Sequence, residues 1–229
     1  MKALERFLAT ASAEVGYCEK KTNSNLDNPT ANAGYANYTK YARDLDKIKM
    51  FYNGPKNGYA WCDVFVDWVM VETFGVDLAL KLLCQPQKSS GAGCTFSSQF
   101  YKSAGRWSTI PAPGDQIFFT TDGGKTSNHT GIVERVDGTS VYTIEGNTSP
   151  SNGVISNGGS VCRKRYSKTN PQIMGYGHPN WSLVPDDRTS REIVQDAAGL
   201  TDGTMAYLAN YRWGKDLLDK LAAAINKGG

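Results

Sequence analysis

The hydrophobic pattern of this chain changes from helical to strand period near Pro111, and that change leaves few architectures open. Before it, Leu4, Phe7, Leu8, Ala11 and Val15 recur at helical spacing and predict an amphipathic helix ending near Gly16. Trp61 to Phe74 is a mostly apolar run, too long for a strand, which predicts a buried helix stopped by Gly75. A second helix is expected over Asp77 to Leu83, with short ones around Tyr38 to Asp46 and Phe100 to Ala104. Loops are expected over Asn23 to Gly58 and around Gly91 to Gly93 and Ser97-Ser98. After Pro111 the text turns to strands. Pro113-Gly114-Asp115 introduces Gln116 to Phe119, and His129 to Val136 and Ser140 to Glu145 flank an Asp137-Gly138 hairpin turn. Cys162 to Tyr166 and Ile173 to Tyr176 are expected as edge strands. Helices first and antiparallel strands second make an α+β domain, assigned to residues 1–182.

The 229 residues exceed what that domain needs. Pro185-Asp186-Asp187 reads as a linker, residues 183–188, and residues 189–229 return to helical spacing as a small helical module. Its Tyr207, Tyr211 and Trp213 suit either stacking on sugar rings or the core of a small bundle. With 40% hydrophobic and 21% charged residues the chain is globular, which excludes fibrous and disordered classes. No run approaches the roughly 18 apolar residues of a membrane span, so no membrane insertion is expected. The net charge of +3 is spread without a basic block, and no nucleic-acid partner is expected. Lys2, Glu5 and Arg6 interrupt the N-terminus, which does not read as a secretory signal. Five cysteines, an odd number without CxxC spacing, argue against a disulfide framework or a zinc site.

Cys62 stands at the start of the expected buried helix, where the positive end of the helix dipole favours thiolate and the backbone N–H can serve an oxyanion. The plainer alternative is a buried small hydrophobe. Of the two histidines, His129 opens a strand and can face a helix start, whereas His178, between Gly177 and Pro179, reads as a turn residue. A thiol–imidazole centre needs a third group to orient the ring, and Glu145 and Asn147 end the next strand two residues apart. Taken alone, Glu145-Gly146-Asn147 is equally compatible with turn chemistry.

In order, Trp-Cys-x-x-Phe-Val at 61–66, Pro-Gly-Asp-Gln-Ile-Phe-Phe at 113–119, His-Thr-Gly-Ile-Val at 129–133 and Tyr-Thr-Ile-Glu-Gly-Asn-Thr at 142–148 resemble a CHAP domain. This is the cysteine, histidine-dependent amidohydrolase/peptidase group within the NlpC/P60 and papain-like assembly. The resemblance covers roughly residues 1 to 181; Gly114-Asp115 is a further shared feature. It implies a papain-like fold with Cys62 as nucleophile, His129 as base, and Glu145 and Asn147 as orienting groups. It also implies bacterial peptidoglycan as substrate, cut by an amidase or an endopeptidase. A phage endolysin is the expected type, accumulating in the host cytoplasm without a signal peptide and acting on the wall after release. Some relatives bind calcium before the cysteine through clustered carboxylates. Asn23, Asn25 and Asp27 supply one acid, which offers calcium little, so no cofactor is expected. The tail is expected to bind wall or to self-associate. The rival readings are a non-catalytic wall-binding protein and a cysteine hydrolase acting on other amides.

Overall fold

A computed structural model describes residues 2–86, 91–186 and 188–228. Contacts divide the chain into two compact units, Ala3–Val184 and Pro185–Gly229 with Met1–Lys2. Asp187 of the expected linker lies outside the described residues.

The first unit carries α1 (Ala3–Ala13), α2 (Lys40–Asp46), α3 (Cys62–Phe74), α4 (Val76–Leu82) and α5 (Cys94–Ser103), followed by six strands. These are β1 (Trp107–Ser108), β2 (Gln116–Phe119), β3 (His129–Val136), β4 (Ser140–Thr148), β5 (Ser160–Ser167) and β6 (Ile173–Gly177). They form one antiparallel sheet in the order β1-β6-β2-β3-β4-β5. This is the α+β class that the change of period called for, in the papain-like form that the resemblance implied.

Helix α3 is the hub. Every residue from Cys62 to Met70 is buried, which explains why a run rich in valine stays helical. Burying a large apolar side chain contributes roughly 1.5–3 kcal/mol, against a few tenths for valine's lower helix propensity. One core gathers Phe65 and Val69 of α3 with Phe7 of α1, Leu45 of α2, Ile132 of β3 and Ile144 of β4. The alternate residues of the strands, Ile117, Phe119, Val133, Val141 and Tyr166, form a second cluster. A Cβ on Gly146 of β4 would lie 2.5 Å from that of Phe65 and 2.9 Å from the Trp61 ring, so only glycine lets β4 close onto the start of α3.

Two expectations need correction. The Ile173–Tyr176 strand is interior: β6 lies between β2 and β1, because the two-residue β1, too short to show in the sequence, pairs on its outer side. The loop expected through Ser97-Ser98 ends early, since α5 begins at Cys94 rather than near Phe100. Its N-terminus is capped by a side chain from α3, a contact invisible to local pattern.

In the second unit, α6 (Ser190–Ala198), α7 (Asp202–Asn210) and α8 (Gly214–Gly228) enclose Ile193, Val194, Met205, Leu218 and Ala222. Thr189 and Glu192 form a capping box at the start of α6, and Gly199 ends it with φ +62°, a left-handed conformation that favours glycine. Tyr207, Tyr211 and Trp213 are 79%, 59% and 59% exposed, so they are not the core of this bundle.

Candidate active site

The site is assembled from the first turn of α3, the start of α5 and the β3–β4 hairpin. Cys62 is the first residue of α3, buried, and its sulfur accepts the backbone N–H of Asp63. This N–H has no carbonyl partner inside the helix, being one of the donors left over at every helix start. The Cys62 Sγ lies 3.4 Å from the Sγ of Cys94, the first residue of α5. All five cysteines are free, so the contact is between two thiols.

On the sheet side, His129 opens β3 with its side chain fully buried. Its Nε2 lies 2.9 Å from Oε2 of Glu145 on β4. Glu145 also accepts the hydroxyl of Tyr166 at 3.1 Å and that of Thr143 at 2.5 Å, so three donors fix the carboxylate. Phe119 stacks on the imidazole with centroids 5.8 Å apart. Gly131 provides the space: a Cβ there would sit 2.4 Å from Cγ of Glu145. His129 and Gly131 share a strand face, so the glycine is what lets Glu145 lie across β3 and reach the ring. With Nε2 committed to Glu145, Nδ1 is the nitrogen left for the Cys62 sulfur. It is buried and has no hydrogen-bond partner among the described residues.

The electrostatics favour a charge-separated pair. The Cys62 thiol is held well below its ordinary pKa, first by the Cys94 thiol, then, against the opposing effect of burial, by His129 and the Asp63 N–H. Burial alone would lower the His129 pKa, but the neighbouring Cys62 sulfur and the Glu145 carboxylate overcome that and raise it to about 9. Both shifts favour the thiolate and imidazolium form of the pair, a nucleophile and an acid together.

Asp63 joins the helix starts. Its Oδ2 accepts the Gly93 N–H and the Ser97 hydroxyl, both at 2.8 Å, and its Oδ1 accepts the Gln116 amide of β2 at 3.0 Å. One carboxylate thus caps α5 and ties it to α3 and the sheet. Burial and the neighbouring Cys62 sulfur raise its pKa to about 6, against the lowering effect of those three donors.

Asn147 is buried nearby on β4, but the register slips between Glu145 and Thr148 and Asn147 itself has φ +54°. The two-residue alternation that put it on Glu145's face is broken there. Its amide donates to the Ser156 carbonyl at 3.3 Å, and among the described residues no hydrogen bond joins it to His129. His178 lies elsewhere, its Nδ1 2.5 Å from Oδ1 of Asp115, and ties the end of β6 to the start of β2. In the loop considered for calcium, both oxygens of Asp27 are taken by Arg43 at 2.7 and 2.8 Å. The carbonyls of Asn28 and Pro29 accept the Lys20 ammonium at 2.6 and 2.9 Å. Two side-chain cations occupy the oxygens a calcium ion would need, and the residues present do not fit that ion.

Residues 54–147 match the family model of the CHAP domain, a segment that contains Cys62, His129, Glu145 and Asn147. Over that segment the chain matches a CHAP domain. Among solved structures, that of Ly7917 is similar at 15% identity and a TM-score of 0.46, covering 79% of this chain and 63% of that one. The structure of Ly7917 with the hydrolyzing product of MDP is similar at 16% identity and a TM-score of 0.43, covering 77% and 62%. The chain thus spans less than two thirds of the length of each of these solved structures. A search of curated proteins finds no match.

Two residues of this site escape sequence reasoning. Cys94 counts only as one of five scattered cysteines, and Asp63 only as a charge beside the nucleophile. The available signal was Asp63 itself, since an ionisable group on the apolar run 61–70 must find donors once buried.

Proposed function

We propose that the chain is a peptidoglycan hydrolase in which Cys62 attacks an amide carbonyl of the bacterial wall. The observation that carries this reading is the meeting of the Cys62 thiol, the His129 imidazole and the Glu145 carboxylate in one buried site inside the CHAP segment. The thiolate forms a C–S bond with the carbonyl carbon, and the Cys62 N–H is placed to receive the developing oxyanion. The His129 imidazolium then gives its proton to the leaving nitrogen as the C–N bond breaks, which leaves a thioester. Neutral His129 takes a proton from water, and the resulting attack releases the acid and restores the thiolate. Glu145 holds the ring and its cation. Asn147 shapes the end of β4 through Ser156 and acts on the ring only indirectly.

The test is digestion of purified peptidoglycan by the protein and by Cys62→Ala, with new chain ends labelled and identified by mass spectrometry. Cys62-dependent release of L-Ala amines with free muramoyl carboxyls makes the enzyme an amidase; new amines within the stem or bridge make it an endopeptidase. No Cys62-dependent release from any wall type overturns the proposal in favour of a binding protein. Origin from a phage and action after release from the host cytoplasm belong to the same proposal.

A further inference from the structure

The second thiol has no part in the steps just described, yet its sulfur lies 3.4 Å from that of the nucleophile. We propose that Cys94 is a positioning residue whose S–H donates a hydrogen bond to the Cys62 thiolate, holding the nucleophile ionised and aimed at its target. The inference rests on Cys62 being the nucleophile of the proposed reaction.

Three observations carry it. The sulfurs are 3.4 Å apart, far beyond the roughly 2.05 Å of a disulfide and suited to S–H···S⁻ contact. Both side chains are buried, so water does not compete for the anion. Their spacing is also built in, because the Asp63 carboxylate ties Gly93 and Ser97 at the start of α5 to the residue next to Cys62. A thiol is a weak donor to neutral acceptors, but a bond to an anion is charge-assisted and about twice as strong.

The direction of donation follows from the surroundings. Cys62 has the His129 imidazolium and the Asp63 N–H beside it, so it carries the charge. Cys94 has the Cys62 sulfur, burial and the Asp63 carboxylate, all of which keep its proton on and raise its pKa. The site therefore holds one thiolate and one thiol in fixed roles. As substrate is attacked the charge moves from sulfur to the carbonyl oxygen, so the Cys94 bond weakens along the reaction. Its benefit is a larger thiolate fraction and a single sulfur position in the resting enzyme.

The experiment measures the pH dependence of iodoacetamide alkylation at Cys62, read by peptide mass spectrometry in protein kept reduced with a phosphine, for wild type, Cys94→Ala and Cys94→Ser. Wall hydrolysis is followed in parallel, and circular dichroism checks folding. The expected result is a Cys62 titration moved upward by about one unit in Cys94→Ala, so that alkylation slows roughly tenfold at pH values below the wild-type midpoint. Cys94→Ser, which keeps a donor, recovers most of the loss, and kcat follows the same order. In wild type, Cys94 resists alkylation at pH values where Cys62 is already modified. An unchanged Cys62 titration in folded Cys94→Ala overturns the inference, as does equal loss in both variants. Should Cys94→Ala not fold, Cys94→Ser and the wild-type contrast between the two thiols decide it. Cys62-dependent wall hydrolysis with an unmoved titration would defeat this inference alone. A moved titration without wall hydrolysis would defeat the proposed function and leave the thiol pair standing.

Discussion

His129 and Glu145 meet across one antiparallel hairpin, sixteen residues apart, while Cys62 and Cys94 meet across two helix starts, thirty-two residues apart. The sheet side is held by the strand ladder, by Gly131 opening room for Glu145, and by three donors on one carboxylate. The helix side has no ladder; it hangs on Asp63, whose three bonds reach α5 and β2. The sheet side is therefore expected to fail by losing chemistry, and the helix side by losing position.

The largest effects test the chemistry. Cys62→Ala is expected to lower wall hydrolysis by about 10⁴-fold or more with the fold intact, measured as released amines beside a thermal melt. His129→Ala should fall about as far, since nucleophile and base act as a unit. His178→Ala should keep its rate within a few-fold while losing about 1–3 kcal/mol of stability, because Asp115 is left buried without its partner. If His178→Ala were inactive and His129→Ala active, the sheet side would have been assigned to the wrong histidine.

The helix side is broken through Asp63. Asp63→Ala leaves the Gly93 N–H, the Ser97 hydroxyl and the Gln116 amide without their acceptor, and we expect a loss of about 3 kcal/mol by chemical denaturation. The rate should fall as well, through misplacement of α5 and its thiol. A variant as stable as wild type would show that α5 holds its place without the cap.

How far each side was legible follows the same division. The β3–β4 hairpin announces itself in alternating residues around Asp137-Gly138, and a hydrogen bond across it involves residues close in sequence. His129 and Glu145 could therefore be named from pattern. Asn147 could be named but not aimed, because its positive φ and the slipped register break the alternation, and no local rule places that slip. Cys94 was out of reach for a different reason. Gly91 to Ser98 has the composition of a loop, and only a carboxylate thirty residues upstream turns Cys94 onward into a helix. Tertiary capping overrides local propensity there.

A pH titration sharpens the comparison, since the raised pKa of His129 is made by both sides together. A group whose pKa rises on folding, here from 6.5 to about 9, contributes stability that is fully present below 6.5 and lost as pH rises through about 9. Wild type should therefore lose stability between these values, and His129→Ala should lack that component. Activity should fall on the alkaline side near pH 9 as the imidazolium loses its proton. Glu145→Gln, which removes the ring's anion, should move this limb toward lower pH and reduce the rate by about 10–100-fold. An unmoved limb would mean that Glu145 is only structural.

The smallest expected effect lies in the second unit. Its five-residue core leaves Tyr207, Tyr211 and Trp213 largely exposed, so truncating them removes no packing that holds the helices together. Substituting alanine at all three should change stability by no more than about 0.5 kcal/mol per site. Amphipathic rings in this state suit stacking on the flat faces of sugars, so retention on insoluble wall should fall, by about two- to threefold, in a sedimentation assay. Cleavage of small soluble wall fragments should not change, because that reaction takes place at the site built around Cys62 and His129. If retention were unaffected while the sedimentation coefficient of the free protein dropped, the same rings would be joining two copies of the chain rather than the chain to its wall.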